Sequence, residues 1–305
     1  CMTKIIILGK NGQLGWELHR NPAMQGEILS LGKDDEGGDL LQPHKVAQNI
    51  IDYCPDIVFN AAAYTAVDQA ESKQDLAFAI NATAVKEIAL ACQHVGAILV
   101  HYSTDYVFDG SGTAPRSEVA RTGPINVYGQ SKLAGEQVIK QFCPQSFIFR
   151  TSWVYGLHGQ NFIKTILRLA KIKTELNVVS DQIGTPTSAE FIANLSSVLA
   201  LRALADKNNL FGTYNLVPYG EVSRFDLAKW IVTQAHVMGM SLKLKPENIH
   251  PICSADYPMI AKRPLNSRLD NKKLSSLFEN AYIKNWTEYA QKVLIALVRQ
   301  EKDLL

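Results

Sequence analysis

The first patterned stretch of the chain is "KIIILG" (4–9), a β-branched run without polar alternation that stops at a glycine. Such a run predicts a strand covered on both faces, as in a parallel sheet. A helical pattern follows from about Gln13 to His19, then a second strand in "EILSLG" (27–32) and a helix in "PHKVAQNIIDYC" (43–54). "DIVFNAAA" (56–63) predicts a third strand, and "NATAVKEIALACQHVG" (81–96) a long amphipathic helix ending at glycine. "AILVHYST" (97–104) predicts another strand, "YGQSKLAGE" (128–136) a helix, and "SFIFRTSWVYG" (146–156) a further strand. Repeated strand–helix alternation implies right-handed crossovers and a doubly wound parallel α/β sheet of the Rossmann type. Beyond about Gly156 the spacing turns irregular. Helices are expected near 161–171, 188–205, 223–238 and 286–300, broken by "DQIGTPTS" and "AKRPLNSR". Residues 1–156 are therefore expected to form mainly the sheet domain. Residues 157–305 should form mainly a smaller, partly helical lobe, with segments interleaved between the two.

The first strand runs into "GKNGQLG", where Gly9, Gly12 and Gly15 have G-x-x-G-x-x-G spacing. Glycines at a strand-to-helix turn let the backbone approach a pyrophosphate, which exposed N–H groups and the helix dipole then hold. Glycines in this spacing also serve as plain turn punctuation. Their place, after an apolar strand and at the head of the βαβ series, favours a dinucleotide in the first domain and its substrate in the second lobe. A ribose-binding carboxylate is expected at the tip of the second strand. Gly32 and Lys33 stand there instead, followed by Asp34 and Asp35. Without the acid the usual bias towards NAD is lost. Lys33 would either suit a 2′-phosphate or be a solvated loop lysine. NADPH or NADH is expected, with a modest lean to NADPH.

Ligands of such folds sit outside the carboxyl ends of the strands. "VHYSTDYVF" ends a strand at Ser103–Thr104, and Tyr128 with Lys132 occupies one face of the next helix at i and i+4. With eleven tyrosines in the chain, one Tyr-x-x-x-Lys is about what chance supplies. The surroundings give the pair its meaning. A free phenol titrates near ~10, and a neighbouring ammonium is expected to draw it towards the working range. With a hydroxyl from Thr104, the set could protonate a carbonyl oxygen while a nicotinamide reduces its carbon.

These motifs, with "GKNGQLGWEL", "NAAAYTAVDQAE", "HYSTDYVFDG", "PINVYGQSKLAGE", "FRTSWVYG", "NFIKTILRLA", "DQIGTPT" and "RPLNSRL", resemble the extended short-chain dehydrogenase/reductases over essentially the whole chain. The resemblance implies NAD(P)H-dependent reduction of the C4 ketone of dTDP-4-dehydro-L-rhamnose to dTDP-L-rhamnose, a step towards cell-surface polysaccharide. It implies Tyr128 as proton donor, Lys132 at the ribose and the phenol, and Thr104 at the carbonyl. Gly9, Asn11, Gly12, Gln13 and Leu14 would hold the pyrophosphate, with Lys33, Asp39 and Leu40 towards the adenosine. Ala61, Ala62, Ala63, Tyr64 and Thr65 would follow the cofactor. Thr104, Asp105, Trp153 and Asn161 would meet the substrate. By default Trp153 is a packed aromatic, and only the resemblance makes it a sugar platform. Arg263 would meet a diphosphate or form a structural ion pair. Glu190 opens a helix, where a carboxylate complements the dipole; some relatives place one there near a magnesium-linked dimer contact. A homodimer is thus one expected assembly. Nucleotide-sugar dehydratases carry Thr-Asp-Glu at this strand end, whereas Thr104-Asp105-Tyr106 lacks the glutamate, which fits reduction better. The alternatives are a 4-reductase or epimerase acting on another nucleotide sugar, and a non-catalytic regulatory subunit resembling the methionine adenosyltransferase β subunit.

Composition excludes other classes. A net charge of +2 with interspersed signs points to neither nucleic acid nor an anionic membrane surface. No apolar run approaches spanning length, so a soluble, cytoplasmic protein is expected. Five scattered cysteines without C-x-x-C read as reduced thiols, and Cys1, ahead of Met2, as an addition to the native start. P-loop, H-E-x-x-H and G-x-S-x-G motifs are absent. The seven histidines show no ligand spacing, so no metal is expected beyond the magnesium candidate at Glu190.

Overall fold

The continuous apolar runs become the interior strands of one sheet. The computed structural model describes residues 2–206, 210–279 and 282–302, so Cys1 lies outside the described residues. β1 (Lys4–Leu8), α1 (Gln13–Arg20), β2 (Glu27–Leu31), α2 (Pro43–Tyr53) and β3 (Ile57–Asn60) come first. The short helices α3 (Val67–Ala70) and α4 (Gln74–Phe78) follow, then α5 (Ala84–Val95), β4 (Ile98–Thr104), α6 (Val127–Phe142) and β5 (Ser146–Thr151). The strands run parallel in the order β2-β1-β3-β4-β5, and a sixth, Gly212–Asn215, adds beside β5. Every residue of β3, β4 and β5 is buried.

Successive side chains on a strand point to opposite faces. Ile5, Ile7, Phe59 and Val100 therefore pack with α1 and the helix Ala189–Asp206. Ile6, Leu8, Val58 and Leu99 pack with α2, α5 and α6 on the other face. The sheet layer thus draws one strand and one covering helix from beyond residue 156. A second apolar cluster unites the helices Phe162–Ile172, Arg224–Val237 and Trp286–Lys302 around Ile166, Leu227, Ile231 and Leu294. Among the described residues no helix is long and apolar enough to cross a membrane.

Two segments depart from the expected pattern. "SFIFRTSWVYG" is not one strand: β5 stops at Thr151, and Trp153 takes a left-handed backbone conformation with φ 48°. That conformation costs an aromatic residue on the order of 1 kcal/mol and turns the chain out of the sheet. Val154–Tyr155 then pairs with Thr187–Ser188 in a separate two-stranded ladder. The helix expected from residue 81 begins as a π-helical turn, Ala79–Thr83, before α5. Such turns are frequent at functional sites.

Candidate active site

β2 and β3 flank β1, so the β1-to-β2 and β2-to-β3 connections run in opposite directions along the sheet and open a crevice at the carboxyl end of β1. The glycine turn closes tightly there. A Cβ on Gly15 would fall 2.0 Å from the Gly9 carbonyl oxygen, and Gly9 itself (φ 85°) lies against the backbone of Ala61 and Ala62. A cleft of about 250 Å³ is lined by Gly9, Asn11, Gly12, Gly32, Lys33, Asp39, Leu40 and Ala61 to Ala63. This brings most of the expected cofactor set together, and the residues fit a dinucleotide. Gln13 and Thr65 open on the adjoining cleft instead. The Leu14 side chain packs on the core, leaving only its backbone for a phosphate.

The adjoining cleft, about 500 Å³, is lined by Gln13, Thr65, Thr104, Asp105, Tyr106, Tyr128, Thr151, Trp153, Phe162 and Arg224. β4 delivers Thr104, whose hydroxyl accepts from the Tyr106 N–H at 3.1 Å and donates to Asp105 Oδ1 at 3.1 Å. α6 delivers Tyr128 and Lys132. Its start is fixed by Asn126, which accepts from the Gly129 N–H at 2.8 Å and donates to the Lys262 carbonyl at 2.8 Å. A Cβ on Gly129 would lie 2.2 Å from the Tyr106 carbonyl oxygen. Glycine inside a helix costs roughly 1 kcal/mol against alanine, and here it admits the catalytic helix to the end of β4. Asn81, on the π-turn, joins the two clefts: its side chain bonds both backbone groups of Tyr64 (2.9 and 3.0 Å) and the Ser131 hydroxyl (3.0 Å). Sequence reasoning missed Asn81, since an isolated asparagine in a helical pattern gives no signal.

The electrostatics correct one expectation. Lys132 does not draw the Tyr128 phenol downward: burial, then Asp105 and Tyr106, push it above its ordinary value, and only the Thr104 hydroxyl acts the other way. The Lys132 ammonium instead donates to the Tyr102 carbonyl at 2.6 Å. Burial lowers its pKa to about 8 against the support of Glu136. Asp105 is 3% exposed, and burial raises its carboxyl to about 6 despite Ser267, Thr104 and Arg224. Asp105 Oδ2 and Thr151 Oγ1 are buried without a hydrogen-bond partner, as expected of groups that await a polar ligand.

A raised acid stabilises the fold most below its unfolded value and loses that contribution as pH climbs through about 6. Asp105→Asn should therefore gain about 2–3 kcal/mol relative to wild type between about pH 4 and pH 8. Urea unfolding across that range checks this. Parallel stability curves would show an Asp105 that titrates normally.

Arg224 was not singled out from the sequence. Its guanidinium stacks 3.8 Å over Trp153 and 4.8 Å over Phe162, facing Asp105 and Tyr106. Arg263 takes the structural role in part, pairing with Asp68 at 2.8 Å, while its Nη1 stays buried and unpartnered. Asn161 departs from its expected place at the substrate. Its Oδ1 caps the helix Phe162–Ile172 through Lys164 N, and its amide bonds Gly156 O and Gln13 Oε1, so it positions the cleft wall. The Glu190 carboxylate holds the Lys292 ammonium at 2.6 Å, and no group of three potential metal ligands occurs among the described residues.

The fold and this crevice define a class, the Rossmann-type oxidoreductases. The chain belongs to the RmlD substrate binding domain family, whose model matches residues 2–299. It is 45% identical over 276 residues to the dTDP-4-dehydrorhamnose reductase of Escherichia coli (strain K12), covering 90% of this chain and 91% of that protein. Against the dTDP-4-dehydrorhamnose reductase of Sinorhizobium fredii the identity is 42% over 302 residues, covering 98% and 99%. The crystal structure of dTDP-4-dehydrorhamnose reductase from Bacillus anthracis str. Ames in complex with NADP superposes with a TM-score of 0.86 at 36% identity, over 97% of this chain and 100% of that one.

Proposed function

We propose that this protein catalyses the NADPH-dependent reduction of the C4 ketone of dTDP-4-dehydro-L-rhamnose, giving dTDP-L-rhamnose for cell-surface polysaccharide. The observation that carries the reading is the meeting of Thr104 and Tyr128 in a cleft that adjoins the glycine cleft, with Lys132 buried one helical turn on and held by the Tyr102 carbonyl. The names of relatives covering nine-tenths or more of the chain support the substrate. When bound, NADPH supplies the hydride that reduces C4. Tyr128 gives its proton to the C4 oxygen, and the Thr104 hydroxyl orients that oxygen. Lys132, held by the Tyr102 carbonyl, serves the ribose. Asp105 and Thr151 offer their unpartnered oxygens to sugar hydroxyls, and the Trp153 face, braced by Arg224, holds the ring.

A further cavity of about 290 Å³ shares Tyr106, Phe162 and Arg224 with the catalytic cleft and adds Arg263. Arg224 and Arg263 in its lining suit a diphosphate, which supports seating the nucleotide half in the lobe formed mainly by residues 157–305. Free thiols at Cys54, Cys92, Cys143 and Cys253 suit a reducing, cytoplasmic setting.

The test is loss of NADPH absorbance over a panel of 4-keto nucleotide sugars differing in base and stereochemistry. The highest kcat/KM should fall on dTDP-4-dehydro-L-rhamnose. A preference of about tenfold or more for another sugar would overturn the substrate assignment. Failure to reduce any of them would overturn the catalytic reading.

A further inference from the structure

The tip of β2 carries no acid in its own sequence position, yet a carboxylate is there. The loop after Gly32 curls back so closely that a Cβ on Gly38 would meet the Gly32 carbonyl oxygen at 2.1 Å. This turn carries Asp35 onto the Gly32 N–H, which donates to Asp35 Oδ2 at 2.6 Å. The same oxygen lies 3.4 Å from where a Gly32 Cβ would stand, so Asp35 packs directly against the position of a side chain at residue 32. The Asn11 amide nitrogen lies 2.5 Å from that point, so a larger residue at 32 would have to displace the Asn11 side chain. Lys10 completes the cluster: its backbone N–H bonds Leu31 O at 3.1 Å and its ammonium pairs with Asp35 Oδ2 at 2.6 Å. Lys10 and Asp35 are each 36% exposed, so the pair is formed but open to exchange.

We propose that Asp35 is the ribose-recognising carboxylate of this protein and that the Lys10 ammonium bound to it receives a 2′-phosphate. The proposal rests on reading the glycine cleft as the dinucleotide site. A lone carboxylate at this place repels a 2′-phosphate, and a lone ammonium favours one. The ion pair presents neither charge unopposed. It can keep Lys10 and accept a 2′-hydroxyl on Asp35, or turn Lys10 to a phosphate while the Gly32 N–H retains the carboxylate. Lys33, which lines the cleft on the same loop, then contributes as a second cation. Discrimination between the two cofactors is therefore small in the wild type and resides in residues 10 and 35.

The experiment measures dissociation constants for NADPH and NADH on the full chain by fluorescence. Lys10→Met should weaken NADPH by about tenfold while leaving NADH within about twofold, the loss of one charge-assisted contact. Asp35→Asn should shift the ratio towards NADPH by a similar factor, and the double variant, whose two changes are coupled through the ion pair, should lie between the two single variants. Retained NADH binding in Lys10→Met shows that the variant folds. The proposal is overturned if both affinities fall together in Lys10→Met, since the pair would then only brace the loop. It also falls if Lys33→Ala moves the ratio more than Lys10→Met does. A wild type that binds neither cofactor would sink the dinucleotide reading itself.

Discussion

Turnover of Tyr128→Phe is expected to fall by ~10²-fold or more, with NADPH binding retained, as for removal of a general acid. The phenol is well placed as a donor and poorly placed as a base. Burial and the nearby Asp105 and Tyr106 keep it protonated throughout the ordinary pH range before ligands bind. Reduction consumes that proton at the C4 oxygen, so the protonated form is the competent one. The titration that limits activity at higher pH should then belong to Lys132, whose ammonium is lost near about 8. The profile of kcat/KM for reduction should be flat through neutrality and decline above that point. The residual activity of Tyr128→Phe should show the same alkaline decline. A limb that vanishes in the phenylalanine variant would return the titration to the phenol, and an unchanged turnover would remove Tyr128 from proton transfer.

What was legible in the sequence followed from burial on both faces. β1, β3, β4 and β5 read as strands because a parallel sheet covered by helices needs continuous apolar runs, and residues 5–8 or 98–100 supply them. The glycine turn and the Tyr-x-x-x-Lys helix were legible because each needs particular residues at fixed spacing. The break after Thr151 was hidden, since β-branched and aromatic residues continue through it, and only the backbone shows Trp153 turning the chain. Arg224, Asn81 and the Lys10–Asp35 pair were not legible for a common reason. Each acts through a partner distant in sequence or through a loop conformation, and a polar residue in a helix or loop reads as solvated until the fold closes over it. Glu136 is the strongest case: within "YGQSKLAGE" it looks like a surface glutamate, and in the fold it is 0% exposed.

Arg150→Met should cost about 3–5 kcal/mol, the usual result of stripping one partner from a buried ion pair, out of a typical total of about 5–15 kcal/mol. Arg150 is 1% exposed and donates to Glu136 through Nε (2.8 Å) and Nη2 (2.6 Å), while Nη1 bonds the Glu118 carbonyl at 3.0 Å. The Ser103 hydroxyl adds a bond to Glu136 at 2.6 Å. Burial alone would raise the Glu136 carboxyl, but Arg150, Ser103 and Lys140 outweigh it and hold it below the usual range. A depressed acid contributes stability that is present above its unfolded value and is lost as pH falls through the folded one, so wild type should be the more acid-sensitive protein. Replacing both partners, as Glu136→Met with Arg150→Met, leaves no uncompensated charge and should recover most of the loss. Urea midpoints for the two single variants and the double decide the matter. An Arg150→Met protein as stable as wild type would mean that the carboxylate finds water and that the pair is not structural. The refolded double variant also reports on chemistry. Glu136 stands one turn beyond Lys132 and favours its charged form, so without Glu136 the ammonium is lost at lower pH. The alkaline decline of kcat/KM should move down accordingly, which ties the buried pair between β5 and α6 to the proton inventory of the site.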